Sequence, residues 1–244
     1  MLGSDLVKYL SPHFSATSIN RENYSKYIDT KFDVVINANG NSRRYWANQN
    51  PKDDFFATTV SVYKSIFDFP CELYIYISSP DVYENHTGPK FTKENAEIDP
   101  KNLEPYGFHK YLGELIIKKY KKNFVIMRSS MILGSGLKKG PFYDIIRGNP
   151  LFITQKTRLQ LITAHAISEI IEMLIESFAE SETINVGGIG SFDFTEINNY
   201  FKKKLKISPK AEMQIYEMNV GKLRRLYPKL KNSEEYLRDF LKNN

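Results

Sequence analysis

Short apolar runs rich in β-branched and aromatic residues alternate along this chain with longer stretches whose apolar positions repeat every three to four residues. Runs of the first kind are typical of buried parallel strands, and stretches of the second kind are typical of amphipathic helices. Strands are predicted at about 14–19, 33–39, 73–79, 124–133 and 183–186. Helices are predicted at about 3–10, 53–69, 106–122, 166–178 and 195–205. This alternation favours parallel β-α-β units in an α/β fold.

The C-terminal part of the chain mixes the two signals. Residues 211–218 read as a strand, and a last helix is predicted to open at the N-cap Ser233, with Glu235 in its first turn. No internal repeat or low-complexity linker interrupts the sequence. We therefore expect one domain over residues 1–244.

Tyr106 and Lys110 are the residues most suggestive of chemistry. Four positions apart on a helix, their phenol and ammonium lie on one face, about one turn from each other. A free tyrosine has a pKa of about 10, and a nearby fixed positive charge favours the phenolate. The pair is therefore suited to moving a proton to or from a carbinol or carbonyl. A tyrosine and a lysine also occur four positions apart on ordinary helix surfaces, so this pair alone does not establish a catalytic site.

Ser78 and Ser79 end the predicted strand at 73–79, which Pro80 stops. In open α/β sheets, ligands bind beyond the carboxyl ends of the strands, so a hydroxyl here can touch a reacting oxygen. A polar loop, residues 84–104, separates this point from Tyr106 and is long enough to fold over a site. The alternative is that either serine simply caps a turn.

With these pieces in order, the chain resembles the extended short-chain dehydrogenase/reductase family, which contains sugar-nucleotide epimerases, dehydratases and reductases. The resemblance runs from about residue 2 to residue 200. Its matching segments are residues 2–10, 32–40, 77–83, 106–110, 127–136 and 184–188. The family implies a Rossmann-like doubly wound parallel sheet, with about 137–182 and 207–244 contributing a small α+β substrate-binding part. It also implies that Tyr106 is the general acid/base, Lys110 its partner and cofactor-ribose ligand, and Ser79 the hydroxyl that orients the substrate oxygen.

The start of the chain departs from that pattern. Such folds open with a buried strand and a Gly-x-x-Gly-x-x-Gly turn that holds the dinucleotide pyrophosphate at a helix N-terminus. Only Gly3 can correspond to the last of these glycines, so the fold is expected to be N-terminally truncated. Three explanations remain open: Met1 is an internal start, the remaining strands close up, or another chain fills the gap.

The resemblance places further residues at the cofactor. Arg21, beside Asn20, follows the predicted strand at 14–19, where an acidic residue favours NAD and an arginine tolerates the 2′-phosphate of NADP. Neither Ile19 nor Asn20 is acidic, so NADP is slightly preferred over NAD, although Arg21 can equally be an ordinary exposed arginine. The remaining cofactor-binding candidates are Gly3, Asn37, Ala38, Asn39, Gly40, Ser78, Ser129 and Met131, with Asn39-Gly40 also explicable as a plain turn.

Asp81 is ambiguous. Dehydratase relatives carry an acid–base carboxylate pair at this point, but the neighbour of Asp81 is Pro80, so a reductase or epimerase is more consistent than a dehydratase. Asp81 is retained as a catalytic candidate. The residues expected to contact a nucleotide-sugar substrate are Tyr83, Lys138, Lys139, Tyr143 and Arg158, since cationic side chains match phosphate by charge.

Composition and charge limit the remaining classes. The chain has 244 residues, of which 41% are hydrophobic and 25% charged, and no apolar stretch of about 18 residues for a membrane span. A lone cysteine, Cys71, suits the cytoplasm, and the four histidines show no metal-ligand spacing. The net charge of +6 could suggest nucleic acid, but its clusters at 202–206 and 222–225 read as solvated helix faces.

The leading hypothesis is an NAD(P)-dependent oxidoreductase or epimerase acting on a nucleotide-activated sugar, without nucleic acid, membrane or metal. The competing hypothesis is a non-catalytic or cofactor-impaired member of the same fold that acts as a binding or interaction protein. A homodimer is expected, because relatives often pair the helices that correspond to residues 53–69 and 106–122.

Overall fold

The computed structural model describes residues 2–177, 181–203 and 205–242. The strands are β1 (Phe32–Asn37), β2 (Cys71–Ser78), β3 (Phe124–Ser129), β4 (Met131–Leu133), β5 (Leu151–Ile153), β6 (Arg158–Leu159), β7 (Leu161–Thr163), β8 (Glu182–Val186), β9 (Phe192–Asp193), β10 (Ile207–Glu212) and β11 (Ile215–Tyr216). The helices are α1 (Leu2–Leu10), α2 (Arg44–Gln49), α3 (Pro51–Phe55), α4 (Ser61–Asp68), α5 (Pro105–Tyr120), α6 (Pro141–Arg147), α7 (Ala164–Glu176), α8 (Gly221–Leu226) and α9 (Ser233–Lys242).

A parallel sheet in the order β1-β2-β3-β8 forms the centre of the molecule. Alternate residues of β2 point to opposite faces, so Ile75 and Ile77 pack against α1 and α7, whereas Tyr74 and Tyr76 pack against α4 and α5. Both faces are thus covered by helices, which explains the continuous apolar runs of these strands. The predicted Rossmann-like α/β fold is confirmed.

The predicted strand at 14–19 is wrong. Residues 15–20 have no regular structure, and no strand in the described residues pairs with the outer edge of β1. An extended segment needs a neighbouring ladder for its backbone hydrogen bonds, and this one has none. The four central strands are contiguous, so the sheet has an open edge at β1 rather than a vacancy in its middle.

The predicted strand at 124–133 divides into two, because the chain changes sheets at Ser130. Ser130 N donates to Val186 O at 2.8 Å, in the central sheet, whereas Met131 N donates to Gln160 O at 3.2 Å. After this switch, β4 pairs with β7 in a separate two-stranded parallel sheet. The switch turns the chain away from the sheet directly beyond Ser129.

Two helix predictions also change. Residues 53–69 do lie in one helical run from α3 to α4, but the run contains a π-helical segment, Phe56–Val60. The helix predicted at 195–205 is only a 3₁₀ segment, Phe194–Asn199, whose apolar side chains enter a second core together with Phe142. Lysines 202, 203 and 206 are therefore not on a helix face, and Lys204 lies outside the described residues.

At the C-terminus, the strand prediction for 211–218 resolves into β10 and β11. The helix predicted at 166–178 is α7, which ends at Glu176, and Phe178 lies outside the described residues. The N-cap of α9 is Asn232 rather than Ser233: Glu235 N donates to Asn232 Oδ1 at 2.8 Å, and Asn232 N donates to Glu235 Oε2 at 2.9 Å. In the residues that the structure covers, no helix has the length and apolar character required to cross a bilayer.

Candidate active site

A cleft of about 1530 Å³ opens beyond the carboxyl ends of β1, β2 and β3. The predicted proton-transfer residues meet at its floor: Ser79, Tyr106 and Lys110 all line it. Ser79 directly follows β2, and α5 supplies the other two from its first turns. This is the edge of an α/β sheet where ligands bind.

The start of α5 is fixed tightly against the turn that follows β2. A side chain at Gly107 would place its Cβ 2.0 Å from the Asp81 carbonyl oxygen, so only glycine permits this approach. Tyr106 N donates to Asn48 Oδ1 at 3.0 Å, which ties the same turn to α2. Both contacts hold the Tyr106 phenol beside Ser79, whose hydroxyl acts to lower the pKa of the phenol.

The electrostatic environment of Tyr106 differs from the sequence expectation. Burial raises the pKa of Tyr106 above its ordinary value, and the carboxylates of Asp81 and Asp54 raise it further. The Ser79 hydroxyl and the Arg44 guanidinium act in the opposite direction without overcoming burial. The expected lowered pKa is therefore wrong for this arrangement, and Tyr106 is held as a neutral phenol that can donate a proton.

Lys110, about one turn after Tyr106 on α5, is buried, with 5% of its surface exposed. Its Nζ donates to Ile77 O at 3.0 Å and lies 5.0 Å from the centre of the Tyr76 ring. Burial lowers the pKa of Lys110 to about 8, against the opposing effect of three carboxylates, those of Asp54, Glu114 and Asp81. The loop after β1 passes directly over this ammonium, since a Cβ at Gly40, whose φ is +113°, would lie 3.4 Å from Nζ.

Asp81 accepts from several donors at once. Ser79 Oγ donates to its Oδ2 at 2.8 Å, Tyr216 OH donates to Oδ1 at 2.8 Å, and Arg44 Nε lies 3.1 Å from Oδ1. His86 stacks on the Tyr216 ring with centroids 3.9 Å apart. Sequence reasoning missed Arg44 and Tyr216, which come from α2 and β11, because neither belongs to a recognisable motif and only the fold brings them to Ser79.

Most of the predicted cofactor-binding residues line the cleft together. They are Gly3, Arg21, Ala38, Asn39, Gly40, Ser78, Ser129 and Met131. Asn37 does not: its amide donates to Ser65 Oγ and Tyr74 OH inside the fold, and its Oδ1 accepts from Asn39 N. Asn20 also lies outside the lining, where its side chain accepts from the backbone of a local turn.

The predicted substrate residues divide in the same way. Lys138 and Lys139 line the cleft, and Lys139 Nζ donates to Ser42 Oγ at 2.6 Å across it. Burial, and then the nearby Arg43 cation, lower the pKa of Lys139 to about 8. The other three lie away from the cleft: Tyr83 is buried and donates to Asn185 Oδ1, Tyr143 packs against Arg147, and Arg158 is exposed on β6.

A buried ion pair supports the floor of the cleft. Arg128 Nη2 lies 2.7 Å from Glu114 Oε2, and both side chains are almost completely inaccessible to solvent. Ser78 Oγ donates to Glu114 Oε1 at 2.6 Å, which connects the pair to the end of β2. The Arg128 guanidinium also lies over the Tyr83 ring, 4.7 Å from its centre. In the described part of the chain, no group of three or more His, Cys, Asp or Glu side chains is arranged to hold a metal ion.

A sequence profile described as the NAD dependent epimerase/dehydratase family matches residues 8–146, more than half of the chain. The chain belongs to this family. The matched region contains Ser79, Tyr106 and Lys110, so this epimerase/dehydratase family member carries its convergent residues within the part that defines the family. By sequence alone, no curated protein matches the chain.

Solved structures share the fold of this family member over nearly its whole length. The dTDP-4-dehydrorhamnose reductase of Bacillus anthracis, in complex with NADP, is 15% identical with a TM-score of 0.78, covering 100% of this chain and 94% of that one. The UDP-N-acetylglucosamine 4-epimerase of Methanobrevibacter ruminantium, in complex with UDP-N-acetylmuramic acid, is 17% identical with a TM-score of 0.74 and covers 99% and 94%. The UDP-glucuronic acid 4-epimerase of Bacillus cereus, in complex with UDP-glucuronic acid and NAD, is 18% identical with a TM-score of 0.68 and covers 98% and 78%.

Proposed function

We propose that this protein is an NAD(P)-dependent oxidoreductase or epimerase that acts on a nucleotide-activated sugar, with NADP preferred over NAD. The observation that carries the proposal is the convergence of Ser79, Tyr106 and Lys110 at the floor of one large cleft in a family member. The solved neighbours in complex with NADP, NAD and nucleotide sugars support the ligand classes.

The residues of the cleft suit a nicotinamide dinucleotide. The N-terminus of α1 reaches the cleft at Gly3, beside which a Cβ would meet nothing within 4 Å, and a helix N-terminus favours phosphate. Gly40, with its positive φ, allows the loop after β1 to approach a ligand closely. Arg21 lines the same cleft and supplies a cation for a 2′-phosphate. A bound nicotinamide would supply or accept the hydride.

The protein's own part in the chemistry is the movement of one proton. Because burial keeps the Tyr106 phenol neutral, it is suited to donate its proton to a sugar carbonyl oxygen as that oxygen gains negative charge. Ser79 would align the same oxygen by turning its one hydroxyl proton from Asp81 toward it, and Lys110 would stabilise the phenolate that the donation leaves behind. The neutral phenol is the form that protonates the oxygen of a keto-sugar during reduction, and in the reverse direction the phenolate would take the proton back from the hydroxyl group.

Cations near the mouth of the cleft suit the diphosphate of such a substrate. Lys138, Lys139 and Arg43 line one region of it, and the like charges of Lys139 and Arg43 lie close enough to depress the Lys139 pKa. An anionic group between them would relieve this repulsion. In this proposal, residues 137–182 and 207–244 contribute the substrate-binding part of the single domain, and the protein acts in the cytoplasm.

A homodimer is part of the proposal. Tyr63 and Phe67 on α4 and Tyr120 on α5 contact one another with ring centroids 5.0–5.8 Å apart. Each of these side chains is 44–50% exposed, which leaves an aromatic patch on the outer face of the two helices. A second copy that presents the same patch would cover it through a two-fold axis.

Titration with NADPH and NADH, followed by turnover assays, tests the proposed function. We expect micromolar binding of NADPH and oxidation of NADPH in the presence of a nucleotide-linked keto-sugar. If neither dinucleotide binds, the proposal is wrong and the protein is a non-catalytic member of the fold that acts as a binding or interaction protein. Binding of dinucleotide without turnover of keto-sugars or their epimers would also reject the catalytic assignment.

A further inference from the structure

Asp54 is a completely buried carboxylate that lies behind the cleft rather than on its surface. Its Oδ2 is 2.7 Å from His109 Nδ1, one residue before Lys110. Its Oδ1 accepts from Asn41 Nδ2 at 3.1 Å and from Thr58 Oγ1 at 3.3 Å. These groups come from three separate segments and hold the carboxylate in one orientation.

A short series of contacts connects this carboxylate to the Lys110 ammonium. A Cβ at Gly40 would lie 3.6 Å from Thr58 Oγ1 and 3.4 Å from Lys110 Nζ. Thr58 Oγ1 in turn donates to Asp54. Thr58 and Gly40 therefore connect the carboxylate to the ammonium, and the low exposure of both charged side chains strengthens the interaction between them.

The π-helical segment Phe56–Val60 produces this arrangement. It begins two residues after Asp54 and widens the helix where it packs against α5. Thr59 Oγ1, from the same segment, donates to the backbone oxygen of His109 at 3.1 Å. Single π-helical turns frequently occur at functional sites. Here the widened turn presents Thr58 and Thr59 to the helix that carries the proton-transfer pair.

Three carboxylates face Lys110, and Asp54 differs from the other two. Glu114 has Arg128 as its partner at 2.7 Å, and Asp81 has Arg44 at 3.1 Å, so each of these negative charges is already matched by a guanidinium. The partner of Asp54 is a histidine, which can donate from Nδ1 in its neutral form. Asp54 is thus the one of these three carboxylates that has no guanidinium partner among the described residues.

We propose that Asp54 is the counterion of Lys110 and a positioning residue for the proton-transfer pair, with the His109 ring holding the carboxylate in place. The catalytic meaning of this inference rests on the proposed function. The ionic relationship itself belongs to the folded protein and can be measured without turnover.

The ionisation of Lys110 follows from the groups around it. Four groups face the ammonium: the Tyr76 ring from β2 and the carboxylates of Glu114 from α5, Asp81 from the turn after β2, and Asp54 from α3. Burial lowers the pKa of Lys110, and among the carboxylates that oppose this effect Asp54 is the largest. Without Asp54, Lys110 should therefore lose its proton at lower pH.

The variant Asp54→Asn tests the proposal through the titration of Lys110 itself. Protein with isotope-labelled lysine is titrated, and the Lys110 side-chain resonance, assigned by its loss in Lys110→Arg, is followed by NMR. We expect its pKa to fall by about one in Asp54→Asn, a tenfold change in the acid dissociation constant. The control is Asp5→Asn, at another buried aspartate, which should leave Lys110 unchanged. An unchanged Lys110 pKa in Asp54→Asn overturns the proposal.

The variant His109→Gln separates charge from packing. It keeps the Asp54 carboxylate and replaces the imidazole ring by a neutral amide donor, so the Lys110 pKa should stay constant or rise. If it falls as in Asp54→Asn, packing rather than charge sets the Lys110 pKa, and the proposal is rejected. If Asp54→Asn does not fold, the Lys110 pKa is measured in His109→Gln and in Asn41→Ala instead. Both variants keep the Asp54 carboxylate and change only a hydrogen-bond partner of it, so a fall in the Lys110 pKa in either variant rejects the proposal. Inactive wild-type protein would contradict the proposed function alone, because the titration requires no substrate.

Discussion

Ser79 donates a 2.8 Å hydrogen bond to Asp81, so the Asp81 carboxylate fixes the position of the serine hydroxyl in this structure. The same carboxylate accepts from Tyr216 and lies against Arg44, which reaches the site from α2. A carboxylate with three such partners is better suited to holding Ser79 in place than to exchanging protons with a substrate. The geometry therefore favours Asp81 as an anchor for the serine hydroxyl, although the sequence introduced it as a catalytic candidate.

The variant Asp81→Asn should lower kcat/KM by about tenfold to a hundredfold while the shape of the pH profile is retained. The reason is that Ser79 loses its ionic acceptor and is less well oriented, an effect on geometry rather than on an acid–base group. Steady-state rates of keto-sugar reduction over a range of pH provide the measurement. Disappearance of an ionisation from the profile would show that Asp81 itself exchanges the proton.

The variant Tyr106→Phe should reduce turnover by about 10²- to 10⁴-fold, the usual contribution of a positioned acid or base. Binding of NADPH should change little, because the ring and its packing remain. The matched control is Tyr111→Phe, on the same helix but outside the cleft lining, which should retain full activity. A fully active Tyr106→Phe protein would reject the proton-transfer assignment.

The sequence predicted those parts of the site that are carried by single, strongly periodic helices and strands. The helix at 106–122 and the strand at 73–79 have strong periodic signals, and parallel topology then brings Ser79 to Tyr106. Arg44 and Tyr216 could not be found in this way, because they lie far from Ser79 in the sequence and reach it only through tertiary packing. The same holds for Asp54, whose orientation depends on a π-helical turn that residue patterns do not reveal.

Predictions from the sequence were wrong where the structure or the pKa of a residue depends on its tertiary contacts. Residues 14–19 have the composition of a strand, but the outer edge of β1 is not paired with any strand of the described residues. Asn37 follows the family pattern, yet its side-chain amide donates to Ser65 and Tyr74 inside the fold and does not reach the cleft. Lowering of the Tyr106 pKa was expected from a nearby cation, but the depth of burial, which a sequence does not give, has the larger effect.

The variant Glu114→Gln should destabilise the fold by about 3–5 kcal/mol, because it leaves the buried Arg128 guanidinium without a charged partner. Denaturant-induced unfolding measures the change in the free energy of unfolding. Glu72→Gln is the control, since the Lys31–Glu72 pair is largely exposed and its loss should leave stability unchanged within error. Equal stability of wild type and Glu114→Gln would show that the pair is dispensable.

The variant Phe67→Asp should convert a dimer into a monomer, since it places a charge at the centre of the exposed aromatic patch of Tyr63, Phe67 and Tyr120. An unpaired charge is costly to bury in such an interface, so the dimer dissociation constant should rise by about a hundredfold or more. Analytical ultracentrifugation gives this constant. The control Phe152→Asp alters another exposed phenylalanine, on β5, and should not affect association. A wild-type monomer would exclude the proposed interface.

The variant Arg21→Ala distinguishes the two nicotinamide cofactors. Arg21 lines the cleft although the strand predicted before it does not form, so its guanidinium remains available to a 2′-phosphate. A charge-assisted contact of this kind is worth about 1.5–3 kcal/mol, which corresponds to a rise of about tenfold or more in the NADPH Michaelis constant. The NADH constant should stay nearly the same, because NADH lacks that phosphate. Lys26→Ala, at an exposed cation outside the cleft lining, should affect neither constant. Equal effects of Arg21→Ala on both cofactors would mean that this arginine does not read the 2′-phosphate.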